Sequence, residues 1–139
     1  MDNGGYKVFV SHGAVDAWVA GQIAKCIHEV GALTFLDETN IPKGANFKEI
    51  IHKEIASSEE LVAFITPWSA ARSWMWIEMG AAWGQKKPVI GIFYGITVGE
   101  LEERGQGKAI LEDINVVNIN ALNRYLLELH ERVKRRCHV

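Results

Sequence analysis

Leu61-Val62-Ala63-Phe64-Ile65, stopped by Thr66-Pro67, is the stretch on which the fold turns. Five apolar residues in a row lack the alternation of a half-solvated strand. They describe a strand covered on both faces, as in a parallel sheet packed between helices. Outward from it, other short β-rich runs recur at Tyr6 to Val10, Ala32 to Leu36, Pro88 to Phe93 and Val116 to Ile119. Apolar residues repeat at helical spacing between them. Val15, Val19, Ile23, Cys26, Ile27 and Val30 mark one helix, ended by Gly31. Phe47, Ile50, Ile51 and Ile55 mark a second, with Asn46 as its cap and Glu49 in capping-box position. A third is expected from about Ala70 to Gln85, and a weak one near Val98 to Glu103 within a loop-like region from Gly95 to Gly107. Leu122, Tyr125, Leu126, Leu129 and Val133 form the core stripe of the last. Five strands alternating with helices predict an open α/β fold of three layers, with a five-stranded parallel sheet in the order 2-1-3-4-5.

The chain's 139 residues suit one domain, 1–139, with a core from about 6 to 133. Fifteen basic residues stand against 17 acidic ones, a formal net charge of −2, which argues against a dedicated nucleic-acid binder. Lys134-Arg135-Arg136 reads as a solvated helix end, favourable to the helix dipole. Cys26 and Cys137 form no metal or redox spacing, and Cys26 falls at a core position. His28, His52, His130 and His138 show no metal spacing either. The polar start Met1-Asp2-Asn3-Gly4-Gly5 carries no signal peptide, and no apolar stretch is long enough for a membrane span. The expected setting is cytoplasmic.

In such sheets ligands bind outside the carboxyl ends of the strands, where the strand order reverses. That point lies between strands 1 and 3, at loops Ser11 to Ala14 and Thr66 to Ser73, bordered by Glu38 to Ala45. Ser73-Trp74-Met75-Trp76-Ile77-Glu78 opens the following helix. Trp74 and Glu78, four residues apart, share one face, and Glu78 is the one acid among apolar neighbours. The residues alone leave two readings of Glu78 open: a functional carboxylate beside a flat ring, or a solvated residue with Trp74 packed over its stem. Ser73, Ile77, Gly80, Ala81 and Gly84 are expected to let this helix sit close to the sheet. Trp76 and Trp83 read as core or subunit contact, and apolar surplus around Met75, Trp76 and Met79 suggests self-association. Ser11 reads as a cap for the next element. A phosphoacceptor receiver is excluded, because Ser11-His12 and Thr66-Pro67 stand where its acids would be. No phosphate-cradling glycine motif is present.

Together these motifs closely resemble a TIR domain, of the Toll/interleukin-1 receptor type found also in bacterial immune proteins. Tyr6-Lys7-Val8-Phe9-Val10-Ser11-His12 is similar to the family's first box, and Phe35-Leu36-Asp37 with Ile41-Pro42-Lys43-Gly44 to its second strand and BB loop. Ser73-Trp74 followed by Glu78 is similar to its tryptophan–glutamate segment, and Pro88-Val89-Ile90 to its fourth strand. His12-Gly13-Ala14 departs from the commonest pattern. The resemblance implies a flavodoxin-like α/β sandwich and cleavage of the nicotinamide–ribose bond of NAD⁺, with Glu78 as the catalytic carboxylate. It implies substrate contacts from His12, Gly13, Phe35, Lys43, Gly44, Ser73 and Trp74. The products would be nicotinamide with ADP-ribose or a cyclic isomer. NAD⁺ would be substrate, with no cofactor and no metal. Expected partners are further copies through TIR–TIR contacts and an effector sensing the product, in anti-phage immune signalling, with no nucleic acid or membrane. The alternatives are a non-enzymatic TIR–TIR adaptor and an enzyme similar to nucleoside deoxyribosyltransferases.

Overall fold

Five parallel strands form one sheet in the order β2-β1-β3-β4-β5: Lys7–Ser11 (β1), Leu33–Leu36 (β2), Glu60–Ile65 (β3), Val89–Phe93 (β4) and Asn115–Asn118 (β5). The computed structural model describes residues 5–36, 46–105 and 108–137. Among the described residues six α-helices flank the sheet: Ala17–Glu29 (α1), Phe47–Ser57 (α2), Ser73–Gly84 (α3), Val98–Glu103 (α4), Lys108–Leu111 (α5) and Leu122–Cys137 (α6). The predicted class and strand order are those observed.

Alternate side chains of β1, β3 and β4 feed two separate cores, as the period of two requires. Phe9, Leu61, Ala63, Ile65, Val89 and Phe93 pack with α2, α3, α4 and α5 on one face. Val8, Val10, Val62, Phe64, Ile90 and Ile92 pack with α1 and α6 on the other. Every residue of β3 is buried, which explains its unbroken apolar run. Gly31 ends α1 with a positive φ of 102°, a conformation that suits a residue without a Cβ.

Several elements differ from the sequence expectation. The expected helix from Ala70 begins instead with a short 3₁₀ turn, Ser69–Ala71, and Arg72 then adopts an extended conformation before α3. The expected small-residue stripe of α3 does not face the sheet. Met75, Met79 and Ala82 do, Ile77 is 54% exposed, and a Cβ added at Gly80 or Gly84 would meet nothing. The reason is volume: the space above β3 is filled by the two methionines, which adapt to irregular gaps. Met75 and Met79 are therefore core, and the exposed apolar side chains of α3 are Ile77 and Trp83. Cys26 is half-buried rather than core, and Val15 is exposed in the 3₁₀ turn Ala14–Asp16 before α1. The weak helix near Val98 is real. Thr97 and Glu100 close a full capping box at its start, which offsets its shortness. The short α5 falls where the sequence pattern suggests no element.

The amino ends of the strands carry a buried carboxylate, Glu60, held by three side chains. Tyr6 and Tyr125 each donate a hydroxyl at 2.5 Å, and Arg132 adds two hydrogen bonds at 2.8 and 3.1 Å. Burial, with the neighbouring Glu60, pushes both phenols well above the ordinary tyrosine range. Burial alone would lower the Arg132 guanidinium, but its hydrogen bond and charge pairing with Glu60 outweigh that and raise it.

Candidate functional site

The carboxyl ends of β1 and β3 are joined by side-chain hydrogen bonds, and this frames the switch point of the sheet. Thr66 Oγ1 donates to Asp16 Oδ2 at 2.6 Å, tying the loop after β3 to the turn after β1. The same Thr66 hydroxyl accepts from Ser69 N at 3.1 Å, while Ser69 Oγ accepts from Thr66 N at 2.9 Å and donates to Phe64 O at 2.8 Å. Arg72 crosses to the first loop and donates to the carbonyl of His12 at 2.5 Å. Gly13 sits where these loops touch. A Cβ there would lie 3.3 Å from both Cα and Cβ of Ser69, so a side chain would push the two loops apart. His12 is buried beside it, with Nδ1 2.7 Å from the Gly13 carbonyl. A carbonyl only accepts, so this nitrogen carries the proton.

Glu78 enters this frame from α3. It is 1% exposed, and Ser11, the last residue of β1 and itself fully buried, donates its hydroxyl to Glu78 Oε1 at 2.5 Å. The solvated reading of Glu78 is thereby removed, and Ser11 is no cap for the next element. Its hydroxyl spans 67 residues of sequence to reach the carboxylate.

Glu78 and Trp74 line one small cavity of about 90 Å³ between α2 and α3, with Lys48, Ile51, His52, Ile55, Ile77 and Ala81. That volume admits a small planar ring. It falls far below the roughly 300–1,000 Å³ of pockets that enclose whole drug-sized ligands, so a larger ligand would lie mostly across the mouth. A larger hollow of about 380 Å³ lies between β5 and α6, lined by Asn115, Val117, Arg124 and Glu128 among others. It is on the edge strand, away from the switch point, and we place the site at Glu78 because ligands of such sheets bind where the order reverses. Trp74 is half-buried, with its ring 5.5 Å from that of Phe47 on α2. Its Nε1 is buried and finds no hydrogen-bond partner among the described residues, unusual for an indole donor.

The structure thus brings together Glu78 and Trp74 at the cavity, with His12 and Gly13 in the adjoining loop. Phe35 packs against Phe9 at 5.2 Å in the core and does not line the cavity. Lys43, Gly44 and the Ser73 side chain lie outside the described residues. Sequence reasoning puts the loops that hold Ser11 and Arg72 at the switch point but gives neither side chain its contact there, and it misses Lys48 and His52 altogether. The helical spacing of Lys48, Ile51, His52 and Ile55 puts them on one face of α2, but nothing in that spacing names α3 as the opposing helix. Trp76 is half-buried and donates to Ala70 O at 3.0 Å, while half-exposed Trp83 donates to Asp113 at 3.1 Å.

A parallel sheet with a buried carboxylate at the reversal of its strand order defines a class of α/β proteins that act at the carboxyl edge. The chain belongs to one family of that class, the TIR domains, whose sequence pattern matches residues 8–126. Among solved structures, it is similar to the TIR domain of the Toll-related receptor TRR-2 from Hydra magnipapillata, with a TM-score of 0.70 at 16% identity over 93% of this chain and 98% of that one. The TIR domains of the activated Roq1 resistosome, which recognises the pathogen effector XopQ, give 0.62 at 17% identity, over 96% of this chain and 84% of that one. A 2-deoxyribosyltransferase from Bacillus psychrosaccharolyticus gives 0.53 at 13% identity, over 69% and 80%. At these identities the likeness is one of fold. No curated protein matches the chain. No helix among the described residues is long and apolar enough to cross a membrane.

Proposed function

We propose that this TIR domain cleaves the nicotinamide–ribose bond of NAD⁺, with Glu78 as the catalytic carboxylate. The observation that carries the reading is the buried Glu78 carboxylate, set against Ser11 and walling a ring-sized cavity beside Trp74. Ordinary glycosidases need two carboxyl groups, because the leaving oxygen must be protonated. Nicotinamide leaves as a neutral ring from a cationic N-glycoside, so one carboxylate suffices. Positive charge grows on the ribose as the bond breaks, and a fixed carboxylate in a water-poor site stabilises it. Trp74 supplies a flat face tolerant of a cationic ring, and its buried N–H suits a carboxamide oxygen. Lys48 at the rim, with Lys43 and the amides around Gly44, would meet the diphosphate. Capture of the ribose by water gives ADP-ribose; capture by an adenine nitrogen gives a cyclic isomer. The setting we infer is immune signalling in the cytoplasm, with copies of the domain brought together and an effector reading the product.

The test is to incubate the purified protein at high concentration with NAD⁺ and measure free nicotinamide, alongside Glu78→Gln. Release by the parent and not by the variant is expected. No release by the concentrated parent would sink the enzyme reading. The adaptor reading, favoured by the exposed Ile77 and Trp83 on α3, would gain if Glu78→Gln kept full biological activity.

A further inference from the structure

We propose that Ser11 is a positioning residue for Glu78, locking the carboxylate in the orientation that faces the ribose. The inference rests on the reading of Glu78 as the catalytic group. A glutamate side chain turns about three bonds, and α3 alone does not decide where its carboxylate points. Ser11 does not share that freedom. It ends β1, a strand paired on both sides, and its backbone stands opposite Ala63 of β3. It is fully buried, so its hydroxyl has one short bond to turn about and one carboxylate to reach. The 2.5 Å contact to Oε1 therefore ties an acid on a helix to the end of a strand paired on both sides.

The chemistry of the pair has a direction. An ionised carboxylate only accepts hydrogen bonds, and a serine hydroxyl here donates. The bond favours the charged form over the neutral one, and the charged form is the one that stabilises a cationic ribose. Arg72, which braces the His12 carbonyl one residue on, and Gly13, which lets the two loops meet, hold the end of β1 in place behind Ser11. Ser11 thus acts through Glu78 and need not touch the substrate.

The same geometry would also suit Ser11 as a nucleophile with Glu78 as its base, and the experiment separates the two. Steady-state kinetics with NAD⁺ are measured for the parent, Ser11→Ala, Ser11→Thr and Glu78→Gln, with circular dichroism to confirm folding. Ser11→Ala is expected to lower kcat by about 10²-fold, the cost of a slight misplacement of a catalytic group, with KM little changed. Its acidic limb of kcat against pH should move to higher pH, because the donor that favours the charged carboxylate is gone. Ser11→Thr, which keeps the hydroxyl, should recover most of the rate. If Ser11→Ala does not fold, Ser11→Cys, nearly isosteric but a weak donor, should fall between. An unchanged kcat in Ser11→Ala, a loss confined to KM, or a loss equal to that of Glu78→Gln overturns the proposal. Should the parent itself release no nicotinamide, the NAD⁺ reading fails separately. The link is then read from the carbon-13 titration of the Glu78 carboxyl. A midpoint moved upward in Ser11→Ala supports it, and an unmoved one overturns it.

Discussion

Among the described residues two glutamates are buried, one at each end of the sheet, and their surroundings differ. Glu60, at the amino end of β3, is enclosed by two phenols and a guanidinium, and both of its oxygens are committed within the cage. Glu78, at the carboxyl edge, leans on a serine hydroxyl and walls a cavity. Burial alone therefore does not mark a functional acid. A carboxylate neutralised by an arginine and wrapped by hydroxyls is structure, because its charge is spent inside the fold. A carboxylate that walls a ring-sized space at the switch point is placed to meet a ligand. The two ends of the sheet divide the work: one fastens β3 to α6, and the other presents an acid at the switch point.

That contrast can be broken most directly by exchanging the losses. Glu78→Gln should reduce nicotinamide release by about 10³-fold, in the range for removing one transition-state-stabilising group, while its urea midpoint barely moves. Glu60→Ala should do the reverse. Leaving Arg132 without its buried partner should cost about 3–5 kcal/mol in urea unfolding, while the folded fraction keeps its specific activity. If Glu60→Ala removed activity without loss of stability, the division would be wrong.

The Glu60 end also predicts a pH dependence. Tyr6 and Tyr125 hold their protons in the folded chain beyond the ordinary tyrosine value of 10, through burial first and then Glu60. The unfolded chain releases them near 10, so the stability they contribute is whole below about pH 10 and is lost progressively above it. Thermal melting should be flat in this respect from neutral to mildly alkaline pH and then fall. The double variant Tyr6→Phe/Tyr125→Phe should start lower and fall less steeply.

Smaller effects sharpen the picture of the other end. Lys48→Ala should raise KM for NAD⁺ by up to about fivefold, the worth of an exposed charge contact, with kcat unchanged. Added salt should shrink the difference. Smallest of all, Trp83→Phe removes the hydrogen bond to Asp113 and part of a half-exposed ring, and should shift stability by less than about 0.5 kcal/mol in urea unfolding.

Much of the frame is legible in the amino-acid sequence. The apolar run 61–65, alternating with helical patterns, leads to the sheet and its order, because strand period and helix period are local properties of the chain. Glu78 and Trp74 are legible as a pair because four residues make about one helical turn. The capping box of Thr97 and Glu100 is also a local pattern, one that the sequence reading of α4 as a weak helix passes over. The misreadings share a cause. Small residues suggest one orientation of α3, yet the larger Met75 and Met79 take the sheet-facing side. Ser11 suggests a local duty, a cap, when its partner lies 67 residues away. Nothing local singles out Glu60, since its partners come from α6 and the residue just before β1.

What the sequence by itself determined was the order of elements, the parallel sheet and the position of one acid near its reversal. These follow from periodicity, breakers and the handedness of crossovers, all of which act over a few residues. Only the tertiary structure decided which of two buried acids is caged and which walls a cavity. That depends on side chains brought from distant elements, Arg132 and two tyrosines in one case, Ser11 and the face of α2 in the other. No local pattern records which side chains the packing will bring face to face.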